Sequence, residues 1–206
     1  ISSIQAHEIS ENLLKIYEQY SQRICNHFHL ALQSGSNNIL KLMRRKYNNN
    51  DYLKSVNLIK SKLVNPSIST DVIVGFPGET EKDFNDTLNI IKSSKFSKIH
   101  LFPYSDRPGT SSYYFKDKIQ PEIKKERMNI ALKLANNEES DYRLNVLNQK
   151  RNILWEKPLN ESPTKFEGYS EDYLRVHIES KDNLYNKITP VTLKKSDKDY
   201  IIGEIL

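Results

Sequence analysis

Residues 69–80 read Ser-Thr-Asp-Val-Ile-Val-Gly-Phe-Pro-Gly-Glu-Thr, and no other stretch constrains the fold as strongly. Val72, Ile73 and Val74 form a short β-branched run, Gly75-Phe76-Pro77-Gly78 stops it, and Glu79-Thr80 opens a helical pattern. A strand, a tight turn and a helix start follow one another. In α/β folds ligands bind at the carboxyl end of such a strand. Glycines there remove side chains and let backbone approach a ligand.

The surrounding chain repeats this alternation. A short strand is expected at Ile1–Ile4, a helix over 8–20, a strand over 27–32, helices over 36–47 and 50–63, a strand over 68–74, a helix over 80–93 and a strand over 98–103. Ser36 is placed to cap its helix, and Thr80 with Asp83 has the spacing of a capping box. Repeated strand–helix–strand units imply parallel strands with right-handed crossovers. Residues 105–120 read as loop. Pro121 suits the first turn of a long charged helix over 121–150. Beyond it, short alternating runs around Trp155, Tyr173–Ile178, Val191–Leu193 and Tyr200–Ile202 predict a small antiparallel β-barrel. The expected division is 1–120, a connecting helix 121–150, and a barrel 151–206.

At 206 residues the chain has room for one large domain or two small ones. Mean hydropathy is −0.68, polar but not a disorder signature. No apolar run reaches the roughly 18 residues a membrane helix needs, so no membrane partner is expected. Cys25 is the single cysteine, which excludes an internal disulfide and makes the cytoplasm the default compartment. The net charge of +5 permits a polyanionic partner. Residues 142–206 carry 11 basic and 10 acidic side chains, so a barrel that binds nucleic acid does so through a local patch. The chain opens on Ile1 and its first methionine is Met43, which reads as a piece of a longer protein or a trimmed terminus.

Four ordered segments carry a resemblance. They are Ser2-Ser3-Ile4; His27–Ser36 followed by Met43-Arg44-Arg45-Lys46-Tyr47; Thr70–Thr80; and Phe102-Pro103-Tyr104-Ser105-Asp106-Arg107-Pro108-Gly109-Thr110. In this order they resemble the radical SAM methylthiotransferases. Phe166-Glu167-Gly168-Tyr169 through Tyr173-Leu174-Arg175-Val176 resembles that family's TRAM domain, a small OB-like RNA-binding barrel. The implied fold is α/β, a partial (β/α) radical SAM half-barrel followed by the TRAM barrel. Arg23-Ile24-Cys25 before His27, and Ile99-His100-Leu101 before the Phe-Pro-Tyr-Ser motif, resemble the branch that modifies threonylcarbamoyl-adenosine beside the tRNA anticodon. A sister branch acts on isopentenyl-adenosine.

The resemblance implies tRNA and S-adenosylmethionine as partners and two 4Fe–4S clusters in the parent family. One cluster cleaves S-adenosylmethionine to a radical that abstracts hydrogen; the other supplies sulfur. The family's cluster motif is Cys-x-x-x-Cys-x-x-Cys, and thiolates are what hold such iron. This chain has only Cys25, so its cluster ligands are absent, and the chain alone is expected to be inactive. A half-barrel short of its first strands exposes a sheet edge, so self-association through that edge is expected. A non-catalytic RNA-binding module is the alternative from another class.

By resemblance Gln33, Ser34, Gly75, Glu79, Phe102 and Tyr104 face S-adenosylmethionine. Capping, turn geometry and core packing explain the same residues without a ligand. Arg107, Tyr169 and Arg175 are the expected RNA contacts, since aromatics interleaved with cations suit stacking and phosphate. Tyr173 reads as barrel core. Arg44-Arg45-Lys46 either meets tRNA backbone or complements a helix dipole. A metal site is not expected: His27, His29, His100 and His177 have no carboxylate or cysteine set to complete one. Cys25 reads as a buried or loop thiol. Catalytic residues are not assigned.

Overall fold

The computed structural model describes residues 3–159 and 164–206. They form two compact units, Ile1–Ser21 with Phe28–Glu139, and Gln22–His27 with Ser140–Leu206.

The first unit is built on a three-stranded sheet in the order β1 (His27–His29), β2 (Ser67–Val74), β3 (Lys98–Pro103). β2 and β3 run parallel, from Ser69 opposite Lys98 to Val74 opposite Pro103. Of the strand expected at Ile1–Ile4, Ile1 and Ser2 lie outside the described residues, and Ile4 makes a parallel bridge to Leu30. Strand 27–32 is shorter than expected because the chain leaves regular pairing after His29. It rejoins β2 once more where Gln33, at φ 63°, bridges Val72.

Helices α1 (Glu11–Gln19), α2 (Asn37–Leu42), α3 (Asn49–Lys62) and α4 (Glu81–Ser94) connect these strands. The caps are those the sequence announces. Ser36 Oγ accepts the N–H groups of Asn38 and Ile39, and Thr80 with Asp83 forms a reciprocal capping box. The helix expected over 36–47 ends early, at Leu42. The Arg45 N–H bonds to the Leu40 carbonyl and the Arg44 N–H to the Lys41 carbonyl, with Arg44 at φ 56°. That is a Schellman termination with arginine where glycine is usual. The Arg44-Arg45-Lys46 run therefore sits in a cap, not on a helix.

Alternation in the strands sends Phe28, Leu30, Ile68, Thr70, Val72, Val74 and Ile99 to the buried face. Tyr52 of α3 is buried there and donates its hydroxyl to the Leu30 carbonyl at 2.8 Å. Gly35 allows α4 to approach closely: a Cβ on it would lie 2.6 Å from Thr87 Cα, and its N–H donates to Thr87 Oγ1 at 3.0 Å. The opposite face of the sheet carries His29, Ser69, Asp71, Ile73, His100 and Phe102.

Helix α5 (Pro121–Asn145) begins at Pro121 as expected but stops short of 150. Asn148 turns the chain at φ 63° and donates its N–H to the Leu193 carbonyl at 2.7 Å, so Lys150 already belongs to a strand. Within the first unit, Glu139 of α5 bonds the Lys98 ammonium at 2.8 Å and the Ile99 N–H at 3.2 Å.

The second unit is a closed barrel of β4 (Lys150–Pro158), β5 (Lys165–Ser170), β6 (Arg175–Glu179), β7 (Ile188–Ser196) and β8 (Ile201–Ile205), ordered β4-β5-β6-β8-β7 with β7 returning to β4. The expected antiparallel barrel is present except that β6 and β8 pair parallel. Closure leaves no open edge in this sheet. Its core is Ile153, Trp155, Phe166, Val176, Val191, Leu193 and Ile201. Trp155 is fully buried, and its indole N–H donates to Thr189 Oγ1 at 2.7 Å. Gly168 lies where a Cβ would meet the Leu154 carbonyl oxygen at 2.5 Å, so the glycine of the Phe-Glu-Gly-Tyr pattern is a packing requirement of β4 on β5.

Candidate functional site

The carboxyl ends of β1, β2 and β3 bring the sequence-predicted cofactor residues to one edge of the sheet. Gly75 follows β2 at φ 76°, and a Cβ there would lie 2.7 Å from Lys124 Cγ, so the close approach its bareness permits is made by α5. Lys124 continues past it, donating to the Tyr104 carbonyl at 2.9 Å and lying 5.6 Å from the Tyr104 ring centre. Tyr104 packs edge-on against Phe76 at 5.2 Å, and its hydroxyl donates to Asp106 at 3.0 Å. Lys118 also bonds Asp106 and holds its carboxyl below the usual carboxylate range. The 104–118 loop is thereby fastened over the turn, with the Gly78 N–H donating to the Asp117 carbonyl at 2.8 Å.

Two of the six residues are turned inward. Glu79 is buried; its carboxylate accepts the Gly75 N–H at 3.0 Å and pairs with buried Arg127 at 2.8 Å. Burial pushes the Glu79 carboxyl above its ordinary range, against the Gly75 N–H and the guanidinium, which pull it down. Ser34 is fully buried, sharing a hydrogen bond with Thr87 Oγ1 at 3.2 Å and accepting the Ser36 N–H. Asp83 completes this polar knot. Its burial opposes ionisation, but the hydroxyls of Ser36 and Thr80, the Thr80 N–H and the Asn38 amide outweigh it and hold its carboxyl below the ordinary value. These side chains shape the edge from beneath. Gln33 and Tyr104 are partly exposed, and Phe102 is 50% exposed on the open face of the sheet. Core packing therefore does not account for Phe102.

That open face holds a cluster the sequence did not announce. His29, Asp71 and His100 each offer a ligand atom, and these atoms lie within 4.8 Å of one another. His29 Nε2 is 3.1 Å from Asp71 Oδ2, and Asp71 is the register partner of His100. The expectation that no carboxylate joins the histidines does not hold, because parallel pairing of β2 with β3 brings Asp71 beside His100. The signal was the alternation parity of three strands, legible only once the register is known.

In the barrel, Tyr169 and Arg175 are direct cross-strand partners of β5 and β6. Arg175 is not free: it reaches Asp199 at 3.2 Å and Glu167 at 3.7 Å. Tyr173, expected in the core, is 69% exposed at φ 61°, because the β5–β6 turn places it in the left-handed region outside the barrel. A groove of about 620 Å³ on the same unit is lined by Lys165, His177, Tyr200 and Ile202 among others. His177 stacks on Tyr200 at 3.9 Å and meets Glu167 at 3.0 Å. Arg107 is exposed in its loop, and Cys25 is an exposed thiol.

A four-iron cluster needs several thiolates, and Cys25 is the chain's only one. The residues present do not fit such a cluster.

Residues 3–91 match the Radical SAM superfamily. The chain is 36% identical over its whole length to the threonylcarbamoyladenosine tRNA methylthiotransferase MtaB of Bacillus subtilis, covering 46% of that protein. It is 34% identical over 97% of its length to a tRNA-2-methylthio-N(6)-dimethylallyladenosine synthase of Alkaliphilus oremlandii, covering 42% of it. The chain thus spans about half the length of these curated relatives. Among solved structures, coproporphyrinogen III oxidase of Escherichia coli, described as a radical SAM enzyme, superposes with a TM-score of 0.54 over 66% of this chain and 31% of that one, at 16% identity, a likeness of fold alone. No described helix is long and apolar enough to cross a membrane. Residues 3–91 thus carry the match to the Radical SAM superfamily, and along its length the chain is similar to tRNA methylthiotransferases.

Proposed function

We propose that this chain is part of a tRNA methylthiotransferase that adds a methylthio group to threonylcarbamoyl-adenosine beside the anticodon. The observation that carries the reading is that similarity to such an enzyme runs through the whole chain, barrel included, at 36% identity. Isopentenyl-adenosine is the alternative substrate, since relatives named for dimethylallyladenosine match almost as well. In this reading S-adenosylmethionine lies along the carboxyl edge of the sheet. The exposed Phe102 ring and the partly exposed Gln33 and Tyr104 side chains offer it contact, and Gly75 shapes the turn beside them. Ser34 and Glu79 hold the edge in shape from behind. When bound, the cofactor supplies the radical and the methyl group; the protein orients it and excludes water. With Cys25 as its single thiol the chain does not supply the ligands of the family's clusters, and by itself it is proposed to be inactive. Self-association through the sheet edge remains part of the proposal, and the cytoplasm is the proposed compartment.

The barrel is proposed as a TRAM-type RNA-binding unit, with Tyr169 and Arg175 on its surface and Arg107 contributing from the loop at the sheet edge. Binding of the purified chain to tRNA, followed by fluorescence anisotropy over a salt series, tests this. Affinity is expected to fall linearly on log–log axes as salt rises. Tyr169→Ala is expected to weaken binding about tenfold, the scale of one lost base–aromatic stack. Binding that ignores salt and both the Tyr169→Ala and Arg175→Ala substitutions would rule the barrel out as the RNA contact.

A further inference from the structure

We propose that His29, Asp71 and His100 form a binding site for a single zinc-class divalent cation on the open face of the sheet. The inference does not rest on the tRNA reading. Three adjacent strands each contribute one ligand, and their donor atoms lie within 4.8 Å of one another. The sheet fixes the spacing: Asp71 and His100 are register partners, and His29 comes from the strand on the other side of β2. Two imidazoles and a carboxylate are a borderline donor set, suited to zinc and its neighbours rather than to magnesium or calcium.

The geometry near His29 is that of a ligand pair. Two donors about 2.0–2.1 Å from a tetrahedral zinc lie roughly 3.3 Å apart, and His29 Nε2 and Asp71 Oδ2 are 3.1 Å apart. The other ring nitrogen of His29 is already held: Nδ1 lies 3.2 Å from Ser69 Oγ, which in turn meets the Phe28 carbonyl at 3.5 Å. In the metal-free state Nε2–H donates to the Asp71 carboxylate; when an ion takes that place, the Ser69 hydroxyl can accept the Nδ1 proton and leave Nε2 as the ligand, which is how metal-binding histidines are oriented. His29 and Asp71 are partly buried, with side-chain exposures of 19% and 28%, whereas His100 is exposed and free to rotate onto the ion. Three protein ligands leave a fourth position open to water or to a donor atom of a bound molecule.

The plain alternative is a hydrogen-bonded His29–Asp71 pair with His100 nearby by chance. Calorimetric titration of the purified chain with zinc chloride separates them, with cobalt(II) absorption reporting a tetrahedral site. One ion per chain is expected. His29→Ala and His100→Ala should each abolish the tetrahedral cobalt spectrum, and Asp71→Asn, nearly isosteric, should weaken zinc binding at least tenfold with an unchanged far-ultraviolet circular dichroism spectrum. Ser69→Ala should weaken it about tenfold, as loss of an orienting partner does. His7→Ala and Cys25→Ser, which remove competing surface donors, should leave it unchanged. The proposal is overturned if zinc does not bind, or if binding survives His29→Ala and His100→Ala, or if it depends on Cys25.

Discussion

Replacing Arg127 with methionine is expected to destabilise the first unit by about 3–5 kcal/mol, the scale of stranding one partner of a buried ion pair. Arg127 is buried and donates to both the Glu79 carboxylate, at 2.8 Å, and the Glu79 carbonyl, at 2.9 Å. Without it the carboxylate keeps only the Gly75 N–H. Glu79→Gln in the Arg127→Met background should recover most of the loss, because a neutral amide oxygen still accepts that N–H while no charge is left buried. The pH dependence follows from burial, which already lifts the Glu79 carboxyl above its ordinary value, while Gly75 and Arg127 hold it down. A group whose folded value is raised favours the folded state below its unfolded value and loses that contribution as pH rises through the folded one. Removing Arg127 raises the folded value further. The deficit of Arg127→Met is therefore largest near neutral pH and shrinks as pH falls into the carboxylate range. Urea unfolding at several pH values checks this; a deficit below about 1 kcal/mol, or one that does not change with pH, would contradict it.

Trp155→Ala is expected to cost about 3–5 kcal/mol, as removal of a fully buried large aromatic does, and to act on the barrel. Trp155 is fully buried and its indole N–H is paired with Thr189. Hydrogen exchange read by strand should show β5–β8 amides losing protection while β2 amides keep theirs, because the two compact units have separate cores. Trp155→Phe, which keeps most of the apolar volume, should cost clearly less. Equal loss of protection in β2 and in the barrel strands would contradict a separate barrel core.

Much of this architecture was legible in the sequence because local chemistry and global fold agree at the same residues. Val72–Val74 is a strand, Ser36 and Thr80 are caps, and Pro121 opens a helix, each for a reason carried by the residue itself. The misses share a cause. Arg44 ends α2 in a left-handed conformation that arginine does not advertise, and Asn148 does the same after α5. Tyr173 looked like core because its neighbours alternate, yet the turn rotates it outward. The site was less legible than the fold. Ser34 and Glu79 carry polar groups that fit a ligand or a buried partner equally well, and only the positions of Thr87 and Arg127 decide between them. The His29–Asp71–His100 cluster depends on strand register, a long-range property no local pattern encodes.

The proposed function makes this chain part of an enzyme that methylthiolates tRNA. Mass spectrometry of nucleosides from tRNA of cells lacking the gene that encodes it tests this most directly. Expected are loss of the methylthio form of threonylcarbamoyl-adenosine, accumulation of the unmethylthiolated nucleoside, and restoration by the intact gene. Loss from isopentenyl-adenosine instead would move the protein to the sister branch. An unchanged nucleoside profile would contradict the claim.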